Sequence, residues 1–280
     1  MSPAASSLRG PGGACFALPV SGLTVMLRQS TGTEDLLLLE TPDDDAAVLG
    51  LAEVLATTED GGEIDWPQLT PTDLDVFILR LRQARLGDHI ASRLACRGEG
   101  CASRIDLSFG IEAYLDFHRP KAPRGRHWLA VSTESPWFQL NEMGDGDHAG
   151  DTCRFRLPTM TDLMAAKRQR NPRRALASAC IPDEGMSTQV RRRMEIAMAA
   201  MAPPLASELQ GTCPDCGATI AAHFEPRAYC LHELRERARF VYEDVDVLAS
   251  RYHWREDSIL AMPVRRRQSY VEWALSGMSA

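Results

Sequence analysis

Apolar and polar residues alternate through "LTVMLRQS" (23–30), the pattern of a half-buried strand. "TEDLLLLE" (33–40) follows and fits either an extension of a sheet or a short helix. From Asp44 to Ala56 the period lengthens to that of a helix, with Ala47, Leu51, Val54 and Leu55 on one face. "TTEDGGEIDWPQ" (57–68) then reads as a turn-rich loop. In "LTPTDLDVFILRLRQARLG" (69–87), Thr70 is placed to cap a helix, Pro71 to occupy its first position and Asp73 to close a capping box. Leu74, Phe77, Ile78 and Leu81 form its buried stripe, and Gly87 ends it. "HIASRLAC" (89–96) alternates again, as a strand running into Cys96. Helical spacing returns over Met186–Met201, where Met194, Ala197, Met198 and Met201 form a packing stripe. It recurs over Ala228–Arg251 through Leu231, Leu234, Ala238, Val241, Val245 and Leu248. Two shorter helices, Glu256–Met262 and Val264–Leu275, are separated by Pro263. Trp254, Ile259, Leu260, Tyr270, Val271 and Trp273 are the expected buried anchors of that region.

Two stretches repeat one another. "CASRIDLSFGIEAYL" from Cys101 aligns without a gap on "CGATIAAHFEPRAYC" from Cys216. Ile105 falls on Ile220, Phe109 on Phe224, Ala113 on Ala228 and Tyr114 on Tyr229. A second cysteine precedes each, Cys96 in "CRGEGC" and Cys213 in "CPDC", and T-x-T-D-L recurs at Thr70–Leu74 and Thr159–Leu163. These matches predict an α+β protein built on an internal duplication. Each copy is a capped helix plus a zinc-ribbon-like β-hairpin, and a helical C-terminal region follows. The expected organisation is a disordered tail (1–14), an N-terminal strand and helix segment (15–66), a first helix and cysteine-turn repeat (67–120), a linker (121–152), a second repeat (153–230) and C-terminal helices (231–280).

The duplication completes a metal site. A tetrahedral structural zinc takes four ligands, and Cys96, Cys101, Cys213 and Cys216 supply four thiolates. Gly98 and Gly100 let the wider Cys96–Cys101 loop turn both sulfurs to one point. Soft sulfur ligands select zinc, and four of them leave no open position for catalysis. The remaining cysteines, Cys15, Cys153, Cys180 and Cys230, read as ordinary thiols, with Cys230 at a buried apolar position matching Leu115.

Composition narrows the setting. The 280 residues are 44% hydrophobic and 25% charged, which suits a globular chain, and no apolar run is long enough to span a membrane. The N-terminus lacks a clean signal-peptide pattern, so with its paired thiols the protein is expected in the cytoplasm. The net charge of −7 is unevenly spread. Gln29–Leu79 holds thirteen Asp and Glu and no Lys, Arg or His, whereas Ala165–Arg193 holds eight basic and two acidic residues. The basic stretch reads as solvated helix faces. Its alternative is a patch for an acidic partner or nucleic acid, through Arg168–Arg174 and Arg191–Arg193, although no interleaved aromatics support base stacking.

Enzyme signatures fail. The chain has no His-Glu-x-x-His, P-loop, G-x-G-x-x-G or G-x-S-x-G. The zinc-deaminase pattern fails because Thr212, not Pro, precedes Cys213 and no His-x-Glu lies upstream of the cysteine pair. His253 reads as a helix-junction packing residue, His223 as an exposed strand histidine, and "DGDH" (145–148) as a surface loop.

Taken in order, "FALPVSGLTVMLRQSTGTEDLLLLE", "TDLDVFILRLRQARLGDHI" with the cysteines after it, "FRLPTMTDLMAA" and "CPDCG" resemble the T-even-phage-type baseplate hub assembly chaperones of myophages and contractile injection systems. The ending "YHWREDSILAMPVRRRQSYVEWAL" also looks like that of small phage tail assembly proteins. The family's usual form has a tight cysteine pair in both repeats; here the first is wider. The resemblance implies a non-enzymatic protein that assembles, or sits in, the hub of a contractile tail baseplate. It implies hub, spike or other baseplate proteins as partners, with no membrane or nucleic acid. The C-terminal amphipathic helix would dock on such a partner, with Trp254, Tyr270, Trp273, Arg265 and Arg266 as contact residues. A zinc-ribbon regulator that binds nucleic acid through the arginine-rich middle is the alternative.

Overall fold

The computed structural model describes residues 13–121, 130–131, 136–140, 153–181 and 187–276. Strands β1 (Ala14–Ala17), β2 (Thr24–Leu27) and, after two helices, β3 (Ala56–Thr58) form an antiparallel sheet in that order. The intervening helices are α1 (Gly32–Glu40) and α2 (Asp44–Leu55). A 3-10 turn at Trp66–Gln68 leads into α3 (Pro71–Leu86), then the antiparallel hairpin β4 (His89–Ala95) and β5 (Arg104–Gly110), then α4 (Ile111–Phe117). A second three-stranded sheet, β6 (Ala130–Val131), β7 (Trp137–Leu140) and β8 (Cys153–Arg156), precedes α5 (Met160–Lys167), α6 (Pro172–Cys180) and α7 (Thr188–Met201). Then come the hairpin β9 (Ser207–Thr212) and β10 (Thr219–Phe224) and the helices α8 (Pro226–Ala238), α9 (Val241–Tyr252), α10 (Glu256–Leu260) and α11 (Val264–Ser276). The architecture is α+β.

Helix α3 organises the core. Thr70 accepts from the Asp73 N–H at 3.2 Å, Pro71 starts the helix where no N–H is needed, and Gly87, with φ +94°, closes it. Its stripe of Leu74, Phe77, Ile78 and Leu81 is buried with Leu51 and Leu55 of α2 and Leu231 and Leu234 of α8. Trp66 packs on Phe77 with ring centroids 4.9 Å apart. A smaller core gathers Phe155 of β8, Cys180 and Ile181 at the end of α6, and Met194 and Ala197 of α7, with Met198 and Met201 packed against it. The methionine stripe is therefore core, as its spacing implied.

Several expectations change. "TEDLLLLE" is helical, and its start carries a full capping box in which Thr31 N–H donates to Glu34 at 2.6 Å. The box expected at Thr70 is only half made. The Asp73 carboxylate turns away from the cap and accepts from the N–H groups of Val20 and Ser21 at 2.9 and 3.0 Å, tying the β1–β2 turn to α3. The same pattern at Thr159 does form the complete box with Asp162. Val54 is exposed although it shares a helical stripe with buried neighbours. The 57–68 loop contributes part of β3 and the 3-10 turn. The continuous helix expected from Ala228 breaks at Arg239–Phe240, which lets α9 pack on α10 and α11. Within 121–152, expected as a linker, lie β6 and β7. The tail expected over 1–14 lies, up to residue 12, outside the described residues, and Ala14 opens β1.

Part of the lopsided charge is consumed inside the fold. Arg28 pairs with Glu34, Arg235 with Asp44, and Arg85 and Arg267 with Asp35. Arg227, buried, bridges Asp45 and Asp75 at 2.8 and 2.5 Å, and Lys167 also reaches Asp45. Carboxylates of the acidic stretch 29–79 thus pair with bases from outside it, among them Arg85, Lys167, Arg227, Arg235 and Arg267.

Candidate metal centre

Each cysteine turn sits at the tip of a hairpin. The β4–β5 ladder continues past Ala95 and Arg104 as Cys96 N–H donates to the Ser103 carbonyl at 2.8 Å. Inside this turn Gly98 N–H donates to Cys96 Sγ at 3.3 Å, Cys101 N–H donates to the Gly98 carbonyl, and Gly100 adopts φ +70°. In the tighter turn after β9, Cys213 N–H donates to the Ala218 carbonyl and Gly217 N–H to the Cys213 carbonyl, both at 2.9 Å, with Gly217 at φ +73°. The positive φ at Gly100 and Gly217 is a conformation that side chains disfavour.

The two tips converge. All four sulfurs of Cys96, Cys101, Cys213 and Cys216 lie within 4.8 Å of one another. The Cys96–Cys216 distance is 3.6 Å and the Cys101–Cys213 distance 3.9 Å. A tetrahedral ion with metal–sulfur bonds of about 2.3 Å requires sulfurs about 3.8 Å apart. These two distances match that spacing, and the cluster is compatible with a four-thiolate metal site. Cys96 and Cys213 are buried, Cys101 is half-buried and Cys216 is exposed.

Neighbouring groups tune the sulfurs. A hydrogen bond with the Ser103 hydroxyl lowers Cys101 to about 7. Ser103 in turn donates to Asp215 of the opposite turn. At Cys96 the Gly98 N–H acts to lower the thiol, but burial and the three other sulfurs prevail and push it up to about 12. At Cys216 the Ala218 N–H likewise acts to lower the thiol and is outweighed, and the value rises. The Ser103 contact thus holds Cys101 low while Cys96 and Cys216 are held high, so the sulfurs of the cluster are not equivalent. Gly98 makes the convergence possible, because a Cβ there would stand 2.8 Å from Cys216 Sγ.

Behind the tips, residues aligned in the sequence meet. Phe109 and Phe224 pack edge to face at 5.1 Å, Tyr114 reaches Phe224 at 5.2 Å, and Tyr229 lies 5.4 Å from Phe224. Each hairpin runs directly into a helix, α4 or α8. The preceding segments differ. Helix α3 leads straight into β4, whereas α5, α6 and α7 precede β9.

The C-terminal residues form a separate surface. Trp254 stacks on Tyr252 at 4.8 Å and meets Tyr270 edge-on at 5.1 Å, while the Arg266 guanidinium lies 5.8 Å over Tyr270. Ile259 and Leu260 are buried, and Trp254, Tyr270 and Val271 are half-buried. Trp273 is not an anchor: it is 75% exposed, because α11 turns that face away from α9 and buries Arg267 and Ala274 instead. Arg265 and Arg266 are exposed, but Arg267 beside them is buried between Asp35 and Asp244, a distinction the run "RRR" conceals.

Arg168, Arg170, Arg173 and Arg174 project to solvent around the α5–α6 turn, and Arg191–Arg193 lie on α7. His223 is exposed on β10. His253 caps α9 in a left-handed conformation and is exposed rather than packed. Cys180 is buried in the smaller core, where burial pushes it up to about 11, and Cys230 is buried in the main core and likewise raised. Cys15 is half-buried in β1, and Cys153 opens β8. "DGDH" lies outside the described residues. Sequence reasoning missed Ser103 and Asp215 as supports of the sulfurs, since a serine and an aspartate in a turn carry no distinguishing signal. No helix among the described residues is long and apolar enough to cross a membrane. No family model, curated protein or solved structure matches this chain.

Proposed function

We propose that the protein is a non-enzymatic assembly chaperone or structural component of the baseplate hub of a phage tail-like contractile apparatus, held together by one structural zinc. The observation that carries the metal role is the convergence of Cys96 and Cys101 with Cys213 and Cys216, more than a hundred residues later, at tetrahedral spacing. Four thiolates fill a tetrahedral ion, so the metal joins two hairpins and presents no ligand position to a substrate. Zinc fits an all-sulfur set, and cytoplasmic reducing conditions keep such thiols available. The hub assignment is supported by the order of the motifs resembling baseplate hub assembly chaperones. The exposed Trp273, on the same helix as Tyr270, which meets Trp254 edge-on, and as the exposed Arg265 and Arg266, supports a partner-docking role for the C-terminal helix.

Purified protein should contain one zinc per chain, lost in Cys96→Ser and Cys213→Ser. Affinity capture from cells expressing the whole surrounding locus should recover hub, spike or baseplate proteins; recovery of none of them overturns the hub assignment. The four exposed arginines at the α5–α6 turn favour one other reading, a zinc-ribbon regulator that binds nucleic acid. That reading requires salt-sensitive binding, and a gel shift that stays negative at low salt removes it.

A further inference from the structure

Two sulfur contacts in the cysteine cluster cross from one hairpin to the other. Cys96 Sγ lies 3.6 Å from Cys216 Sγ, and Cys101 Sγ lies 3.9 Å from Cys213 Sγ. The first turn is shaped to admit the sulfur of the second: the Cβ that Gly98 lacks would stand 2.8 Å from Cys216 Sγ and 3.4 Å from Cys96 Sγ. Other contacts hold the hairpins in register without a metal. Ser103 Oγ donates to Asp215 Oδ2 across the tips, and behind them Phe109 and Tyr114 pack edge-on against Phe224 at 5.1 and 5.2 Å.

Four thiols so arranged can be oxidised as well as hold a cation. A disulfide brings its sulfurs to about 2.05 Å, so it forms most readily between cysteines already in contact. Exposure decides which sulfur reacts first: Cys216 is exposed, Cys101 is half-buried, and Cys96 and Cys213 are buried. Each crossing pair therefore couples an accessible sulfur to a buried one. The pairing also decides what becomes of the fold. A disulfide constrains the unfolded chain more as the loop it closes grows. Cys96 and Cys216 are 120 residues apart and Cys101 and Cys213 are 112 apart, whereas Cys213 and Cys216 belong to one short turn. A crossing disulfide joins the two hairpins as the metal would; a disulfide within one turn does not.

We propose that the four cysteines form a redox-convertible staple: oxidation by a peroxide links Cys96 to Cys216 and Cys101 to Cys213, and the disulfides replace the metal as the join between the hairpins. The Cys216 thiolate attacks hydrogen peroxide, the O–O bond breaks, hydroxide leaves, and Cys216 becomes a sulfenic acid. The Cys96 thiolate then attacks that sulfur, the S–O bond breaks, a second hydroxide leaves, and the S–S bond forms. Two electrons pass from the pair of sulfurs to the peroxide. Cys101 and Cys213 repeat these steps with a second peroxide, so four thiolates and two peroxides give two disulfides and four hydroxides. The neutral disulfides offer a cation no charged ligand. The inference rests on the metal reading for its starting state and on the hairpin geometry for the pairing.

The test is titration of the zinc-loaded full chain with hydrogen peroxide. Zinc release is followed with a chromophoric chelator, and cysteine pairs are mapped by mass spectrometry of unreduced peptides. About two equivalents of peroxide should release the zinc and leave Cys96–Cys216 and Cys101–Cys213 as the dominant pairs. The oxidised, metal-free chain should keep a Tm nearer to that of the zinc-loaded chain than to that of the reduced, chelator-stripped one. Dithiothreitol and zinc together should restore the starting state. In the double variant Cys101→Ser, Cys213→Ser, Cys96 and Cys216 should still pair; if that variant fails to fold, the wild-type map decides alone. Dominant pairs within the turns, Cys96–Cys101 and Cys213–Cys216, overturn the proposal. So do four thiols that stay free in about tenfold excess peroxide, or sulfinic acids in place of disulfides. A chain purified without zinc that still forms both crossing disulfides refutes the metal reading alone.

Discussion

Arg267 Nη2 donates to Asp35 Oδ2 at 2.6 Å, joining the last helix to the first across 232 residues. The same guanidinium donates through Nε to Asp244 at 2.8 Å, and Arg85 holds the other oxygen of Asp35 at 2.6 Å. Gly32 lies so close to Arg267 that a side chain there would collide with the guanidinium. Removing one partner from a buried ion pair leaves charge uncompensated, at a cost of about 3–5 kcal/mol. Arg267→Ala should lose stability on that scale in urea denaturation, while Arg265→Ala, on the exposed face, should stay within about 0.5 kcal/mol of wild type. Equal effects of the two substitutions would contradict the arrangement.

Asp75 gives the fold a pH dependence of defined sign. Burial pushes its carboxyl up to about 6, against the lowering effect of Arg227, which it shares with Asp45. Between the ordinary value of 3.8 and about 6, the folded state binds the Asp75 proton more tightly than the unfolded chain does. The contribution of this group is therefore fully present below 3.8 and is lost as pH rises through about 6. Urea midpoints of wild type and Asp75→Asn across that window should differ in slope, with the wild type losing ground to the variant as pH rises. Parallel curves would rule this out.

Gly98 is the residue on which the convergence of the four sulfurs turns. Gly98→Ala places a methyl 2.8 Å from Cys216 Sγ and displaces one ligand. Changes in the shell around a metal typically lower affinity about 10–100-fold. Competition with a chromophoric chelator should show a loss of that order, whereas Gly211→Ala, which meets nothing, should retain wild-type affinity.

Trp273→Ala should leave Tm within about 2 °C of wild type, since so exposed a side chain contributes little burial. Recovery of partner proteins by affinity capture should nevertheless fall. A marked drop in Tm with undiminished capture would assign Trp273 to packing instead.

Local pattern carried much of this molecule. The Thr70-Pro71 start and Gly87 stop of α3, the alternation of β4 and the methionine stripe of α7 depend on interactions within a few residues, and each is legible in the chain. The spacing shared by Cys101 with Cys216 and Phe109 with Phe224 anticipated which cysteines and rings would meet. The capping box of α1 at Thr31 and Glu34 emerged only in the structure, because the apolar run behind it fits a strand equally well.

By itself the sequence determined the helices with caps, the paired cysteine turns and the α+β class, because short-range hydrogen bonding and apolar periodicity act between neighbours in the chain. Only the tertiary structure decided the fate of the charges and of the exposed rings. Asp73 and Asp162 occupy the same motif, yet one caps its own helix and the other serves a turn more than fifty residues away. Arg265, Arg266 and Arg267 are identical and adjacent, yet only the third is buried. The reason is physical: a charged group is driven inside only where distant opposite charges meet it, and that condition belongs to the folded chain as a whole.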